Sequence, residues 1–435
     1  MIIKFFHAWG LGLMVLLVAG QLNAAIIGTN VPARPLTRER IATLPPEQQP
    51  AWLAYLARSE AQRRADQAVL RAELKALGTN QPVVPQASHS AADLKLDLPA
   101  AWYGSAEARR MADCVVSYQT AAGGWSKNLN MSTHPRAPGE AFGTDDNNHY
   151  ASPGDFDQAM DLKWHYIGTF DNGATITQLK FLARVIAAGK TGSERWQAAF
   201  LRGLDYIFNA QYPNGGWPQV WPLEGGYHDA ITLNDDAFLH VLALLDDLAE
   251  GEAEFAWLPA ATRARARQSY QHGMDCLLAA QIHDRTGKLT VWCQQHDMLD
   301  LRPASARNYE MPSATSAESA TIVLFLLQLP DPDARQQAAI RAAVAWFDKT
   351  KIMDVAFKST GAGGRQIISA PGKGPLWARY YELETDRPIF GDRDKTIHDN
   401  VNDLSKERRN GYGWYRDTPK RVLEHFKRWN RDHPV

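Results

Sequence analysis

Gln211-Tyr212-Pro213-Asn214-Gly215-Gly216-Trp217-Pro218-Gln219 is the stretch from which the fold of this chain can be read. Upstream of it, Trp196, Phe200, Leu204, Ile207 and Phe208 recur at spacings of three and four and so build one apolar helix face. The glycine pair then turns the chain, because glycine takes up the positive φ that closes a helix C-terminus. The same order recurs at Gln119, followed by Gly123-Gly124-Trp125-Ser126-Lys127-Asn128. After a longer loop it recurs at Gln281, followed by Trp292-Cys293-Gln294-Gln295-His296-Asp297. A helix ending in Gln and then a tryptophan loop, three times over, is a weak internal repeat. Stacked helical hairpins with equivalent loops at one end predict a toroid of paired helices whose loop-bearing rim holds the binding groove.

Working outward, amphipathic helical patterns cover 101–119, 176–187, 236–248, 261–281, 316–329, 334–347 and 419–429, while strand-like alternation is scarce. These patterns predict a mainly α architecture. Toward the N-terminus, 26–45 is rich in Pro, Thr and Arg and reads as an extended arm. A charged helical stretch over 46–77 ends at Gly78, and 80–90 is a Pro/Ser linker. The helical arm is expected to pack on the outside of the downstream helices. Before it, Lys4, the apolar run from Ala8 to Gly20 and the small residues Ala24-Ala25 have the pattern of a secretory signal peptide. The expected organisation is a signal peptide over 1–24, an N-terminal arm over 25–94 and one domain over 95–435, exported to the periplasm or the medium, with no membrane association after signal removal.

The 435 residues carry a formal net charge of −1, so no basic excess supports a nucleic-acid surface. Positive charge must be local if it matters. The three cysteines, Cys114, Cys276 and Cys293, are expected to be buried and unpaired, since a chain this long needs no disulfide. There is no Gly-x-Ser-x-Gly elbow, Walker loop, His-Glu-x-x-His or Gly-x-Gly-x-x-Gly, which removes support for the common hydrolytic and nucleotide chemistries.

Three ingredients lie on the loops. Asp171-Asn172 and Asn234-Asp235-Asp236 each precede an apolar helix. One such residue would suffice as an N-cap, but several hard oxygen donors at each site also suit Ca²⁺. Arg307, Arg379 and Arg393 each stand among aromatics with an acidic neighbour; three together suggest a carboxylate-binding groove, to which Lys127 adds a fourth charge. The turn 388–394 and the run 405–415 mix charge with aromatics. Arg408 and Arg409 in that run read as a solvated edge. Many of the 14 tryptophans are core filler, though some could stack on sugar rings.

These blocks, in order, are Asp171-Asn-Gly-Ala-Thr, Tyr212-Pro-Asn-Gly-Gly-Trp-Pro-Gln, Asn234-Asp-Asp-Ala, Trp292-Cys-Gln-Gln-His-Asp, Ala306-Arg-Asn-Tyr-Glu, Leu376-Trp-Ala-Arg and Ile389-Phe-Gly-Asp-Arg-Asp. Together they resemble the signature blocks of pectate lyases of polysaccharide lyase family ten, over about residues 95 to 416. Ser126 departs from the Pro usual at its place. The resemblance implies an incomplete α/α-toroid of helical hairpins with long irregular loops. It implies Ca²⁺-assisted β-elimination on polygalacturonate by a protein expected to be monomeric. It assigns Arg393 as proton-abstracting base and Arg307 and Arg379 as carboxylate-binding groove residues, with Lys127, Asn172 and Trp217 also on the substrate. Asp171 and the pair Asp235/Asp236 are assigned to the calcium site, the ligand of that pair left open. The competing readings are an inverting glycoside hydrolase using Asp171 and Asp235 as base and acid, and a non-catalytic pectin-binding protein.

Overall fold

The computed structural model describes residues 26–88, 94–144, 154–156, 166–189, 193–251 and 253–434. The expected signal peptide lies outside these residues. Twelve helices are found among them: α1 (Arg38–Ile41), α2 (Gln49–Ala76), α3 (Ala100–Tyr103), α4 (Ala106–Ser117), α5 (Ile176–Ala188), α6 (Glu194–Ala210), α7 (Ala237–Glu250), α8 (Ala260–Ala279), α9 (Ser316–Leu326), α10 (Ala334–Thr350), α11 (Lys406–Asn410) and α12 (Thr418–Asp432). The architecture is mainly α, and the predicted helices appear within a few residues of their expected bounds.

The repeat has a physical basis that the sequence shows only in outline. Each loop tryptophan is fully buried and donates its indole N–H to a carbonyl near the end of the preceding helix: Trp125 to Val115 at 2.7 Å, Trp217 to Ile207 at 3.0 Å, Trp292 to Leu277 at 2.7 Å. A fourth copy, Trp377 to the Phe347 carbonyl at 2.9 Å, comes after α10. The helix-end glutamines stitch neighbours together. Gln119 donates to Gly123 O and to Ala199 O in α6; Gln211 donates to Gly215 O and to Ser269 O in α8; Gln281 donates to Thr290 O and to Ala339 O in α10. The helices α4, α6, α8 and α10 therefore form one stitched row. Gly215 is required where it stands: at φ +95° a Cβ would lie 2.1 Å from the His272 carbonyl oxygen.

The second row, α5, α7 and α9, buries a largely apolar face, through Leu179, Phe181 and Leu182, then Leu242, Leu244 and Leu245, then Ile322, Val323 and Leu326. Such burial is favourable at about 25 cal/mol per Å² of apolar surface.

Strands escape notice in the sequence because most span two residues, too few to show a period. Five assemble into a sheet in which Ile26–Thr29 pairs antiparallel with Thr396–His398, and Pro388–Gly391, Tyr380–Tyr381 and Ala314–Thr315 come next in order. The segment expected as an extended arm thus supplies an edge strand. The helical arm α2 is anchored by buried Trp52, Tyr55 and Leu56; the Tyr55 hydroxyl donates to Ala210 O at 2.9 Å, and its ring lies 4.7 Å from that of Tyr212. All three cysteines are buried and free. No helix among the described residues is long and apolar enough to cross a membrane.

Candidate active site

Two short turns open the inner helices. Asp171–Gly173 precedes α5 and Asn234–Asp236 precedes α7, so they occupy the same place in consecutive repeats. Both go through left-handed backbone: Asn172 at φ 53°, Asp235 at φ 50° and Asp236 at φ 57°. Asn and Asp tolerate this region better than other side chains, and strained non-glycine residues cluster at functional sites. The first turn is tied to the Trp125 loop, whose backbone N–H donates to Thr175 Oγ1 at 3.0 Å while that hydroxyl donates to Thr169 O. The tie brings Lys127 Nζ to 2.6 Å from Asp171 Oδ2. Asn172, beside it, is exposed and donates to Asn128 Oδ1 at 3.3 Å.

The electrostatics distinguish the two turns. Burial pushes the Asp171 carboxyl up, but the Lys127 ammonium, with Arg307 behind it, more than offsets this and holds it below its ordinary value. His228 is driven well down, by burial first and Lys127 second, and stays neutral. Asp235 is raised to about 6 by burial and then by the charge of Asp171, against the pull of Arg379 and Arg307. Solvent reaches Asp235 although protein encloses most of its surroundings. It therefore shares a field with Asp171, Arg307 and Arg379, whereas the neighbour that senses Asp236 is His240.

The arginines converge on two tyrosines. Arg307 forks onto buried Glu310 (Nε to Oε2 2.9 Å, a terminal nitrogen to Oε1 2.6 Å) and lies 5.1 Å from the Tyr309 ring. Burial alone would raise Glu310; the Arg307 fork and the Tyr412 hydroxyl at 2.7 Å bring it down to about 2. Arg379 is buried, donates to Glu318 and to Asn234 Oδ1 at 2.9 Å, and lies 4.8 Å from the Tyr412 ring. Arg393 projects from the turn joining strands Pro388–Gly391 and Thr396–His398, pairs with Glu407 at 2.9 and 3.2 Å, and sits 5.4 Å from the Tyr309 ring. Arg408 is 4.2 Å from that ring.

Two readings of the sequence are corrected. Trp217 was expected on the substrate groove but is 1% exposed, with Gly273 and Phe238 against its ring and its N–H used by Ile207, so no face is open to a sugar. Arg408, expected at a solvated edge, is buried over Tyr309 and donates to Gly411 O at 2.9 Å. Sequence reasoning missed Glu318, Tyr309 and Tyr412; a lone glutamate inside the apolar helix α9 was the available signal for the first.

Among the described residues no group of three or more His, Cys, Asp or Glu forms a metal cage. What the site offers a cation is two hard carboxylates on adjacent turns, Asp235 resisting ionisation because of burial first and the charge of Asp171 second. Hard carboxylate oxygens on two adjacent turns fit Ca²⁺, with Lys127 already paired to one of them.

The pectic acid lyase family matches residues 119–423. Two solved structures are similar. One is a point mutant of family 10 polysaccharide lyase from Cellvibrio cellulosa in complex with trigalacturonic acid, 33% identical with a TM-score of 0.62 over 77% of this chain and 98% of that one. The other is family 10 polysaccharide lyase from Cellvibrio cellulosa, 32% identical with a TM-score of 0.62 over 80% of this chain and 99% of that one. No curated protein matches with significance. The chain is a polysaccharide lyase and belongs to the pectic acid lyase family.

Proposed function

We propose that this enzyme cleaves polygalacturonate by calcium-assisted β-elimination, leaving a 4,5-unsaturated uronate at the new non-reducing end. The observation that carries the proposal is the convergence of Arg307, Arg393 and Arg408 on Tyr309 beside the acidic pair Asp171 and Asp235. Cationic side chains held by aromatics suit a polyanion, and a carboxylate pair suits the cation that bridges to it.

The C5 proton of galacturonate is α to a carboxylate and barely acidic. When bound between Asp171 and Asp235, Ca²⁺ would neutralise that carboxylate and so favour the charge that develops as the proton leaves. The residues of the chain supply the rest. Arg307, already fixed by its fork on Glu310, presents its remaining N–H groups to a uronate carboxylate. Arg393 takes the C5 proton; the electron pair forms the C4–C5 double bond and the O4 leaving group departs, to be protonated by water. Arginine is an awkward base at a pKa above about 12, so Arg307 and Arg408 across the same tyrosine matter by lowering the cost of its neutral form. Arg379 adds positive charge from beneath the Asp235 turn, and Lys127 and Asn172 line the approach on the other side. Asp235, not Asp236, is the second calcium ligand in this reading.

The two helix rows are proposed as an incomplete α/α-toroid. Residues 1–24 are proposed as a signal peptide, 25–94 as an arm and 95–435 as the catalytic domain of an exported monomer. The test is an ultraviolet assay for unsaturated product on polygalacturonate. Activity should rise well above neutral pH, vanish with a chelator and return with Ca²⁺. Full activity after chelation would overturn the calcium role, and substantial turnover by Arg393→Ala would overturn the base assignment.

A further inference from the structure

Residues 26–40 lie outside the span that matches the family, yet their polar groups are used on the loops that carry Arg307 and Arg393. The edge strand Ile26–Thr29 pairs with the strand immediately after the Arg393 turn. Asn30, at its end, is 4% exposed and fully committed. Its backbone N–H donates to Lys395 O at 2.8 Å, and its side-chain amide donates to Arg307 O at 3.3 Å and Asn308 O at 3.0 Å. Its Oδ1 accepts from Ser305 Oγ at 2.8 Å and from Val31 N at 3.0 Å. Asn308 in turn donates to Arg393 O at 2.8 Å. Asn30 thus holds the Arg307 loop through its side chain and the Arg393 turn through its backbone N–H, and Asn308 joins the two directly. Farther along, Arg40 forks onto Asp297 at 2.7 and 2.6 Å, anchoring the arm independently of Asn30.

We propose that the N-terminal arm is a positioning element for the reaction, with Asn30 fixing the Arg393 turn relative to the Arg307 loop. A buried polar side chain is costly unless its bonds are made, and those of Asn30 are made on the 305–308 loop that carries Arg307, while its backbone N–H is bonded to Lys395 O in the turn that carries Arg393. Displacement of a reacting group by about 1 Å can cost about 100-fold in rate. Because Arg40 and the strand pairing remain, loss of the Asn30 amide should shift the arginines without releasing the arm.

The inference rests on the proposed roles of Arg307 and Arg393. The test uses the full chain with Asn30→Asp, which keeps the acceptors for Ser305 and Val31 but places an oxygen against the Arg307 and Asn308 carbonyls, and Asn308→Asp, which severs only the bond to Arg393 O. Turnover on polygalacturonate, KM, near-ultraviolet circular dichroism and urea midpoint are measured for each, alongside Arg393→Ala. Both asparagine variants are expected to lose about 10- to 100-fold in kcat with KM within about threefold and unchanged dichroism. If Arg393→Ala retains turnover, the underlying functional reading fails. If Arg393→Ala is inactive while both asparagine variants keep wild-type kcat, the arm inference fails alone. It also fails if their kcat falls only in proportion to the fraction unfolded.

Discussion

Asp66, in the middle of α2, makes stability depend on pH in a direction opposite to the alkaline rise in activity proposed for this enzyme. Its side chain is 1% exposed; Oδ1 accepts from Gln62 Nε2 at 2.6 Å, and Oδ2 has no hydrogen-bond partner among the described residues. Burial, only partly countered by Gln62, raises its pKa from 3.8 to about 7. The folded protein therefore holds this proton more tightly than the unfolded chain. The stabilisation is fully present below about pH 4 and is lost as pH rises through about 7. A rise of about three units at about 1.4 kcal/mol each gives up to about 4 kcal/mol withdrawn between those limits. Asp66→Asn keeps an oxygen for Gln62 and carries no charge at any pH. Its urea midpoint at pH 9 should exceed the wild type by the equivalent of about 4 kcal/mol, and at pH 5 by about 1.5 kcal/mol. Midpoints measured every half unit from pH 5 to 9 decide it. Parallel curves across that range would refute the reasoning, since they would mean that Asp66 does not titrate with folding.

Glu407 is the exposed partner of Arg393, and a carboxylate beside a guanidinium strengthens its hold on the proton. Glu407→Gln should therefore move the alkaline rise of the rate–pH profile to lower pH; a profile that stays put or moves up would argue against Arg393 as the base. In the repeat, Gly215→Ala sets a Cβ 2.1 Å from a backbone oxygen at φ +95°, whereas Gly287→Ala, at φ +78°, meets nothing within 4 Å. The first should cost about 2 to 4 kcal/mol and the second about 1, read from urea midpoints; equal costs would show that the close approach to α8 is not a constraint.

The helices and their order were legible because apolar spacing at three and four is a signal carried over ten or more residues, and the Gln and Gly-Gly-Trp blocks mark their ends. The two-residue strands were not, because no period fits in two residues. For the same reason nothing in 26–45 foretold that Asn30 would end an edge strand between two arginine loops: its partners lie 277 and 278 residues away. Among the site residues, type was readable and depth was not. Trp217 and Trp125 stand in equivalent blocks, and the repeat itself could have warned that both indoles serve the hairpin, since a residue that recurs wherever a helix ends is explained by the turn.

The same logic separates the residues that do chemistry from those that build the scaffold. Each repeat uses its tryptophan and its glutamine in the same bonds, so these positions are accounted for by the hairpin itself. The turns that open α5 and α7 are equivalent in place, but one carries Asp171 paired to Lys127 and the other carries Asp235 exposed to the charge of Asp171. At the start of α9 the residues Thr315 and Ser316 donate their hydroxyls to Trp292 O and Ala378 O, and the acid of the first turn, Glu318, is paired with buried Arg379. The acids that precede α5 and α7 sit on two turns that pack together, whereas the residues immediately before and at the start of α9 are hydroxyls bonded to backbone carbonyls. A helix-capping role would predict the same residue type at all three starts. The asymmetry instead places the acidic pair next to the arginines gathered on Tyr309, which supports the proposal that a uronate carboxylate meets a bound cation and a guanidinium together there.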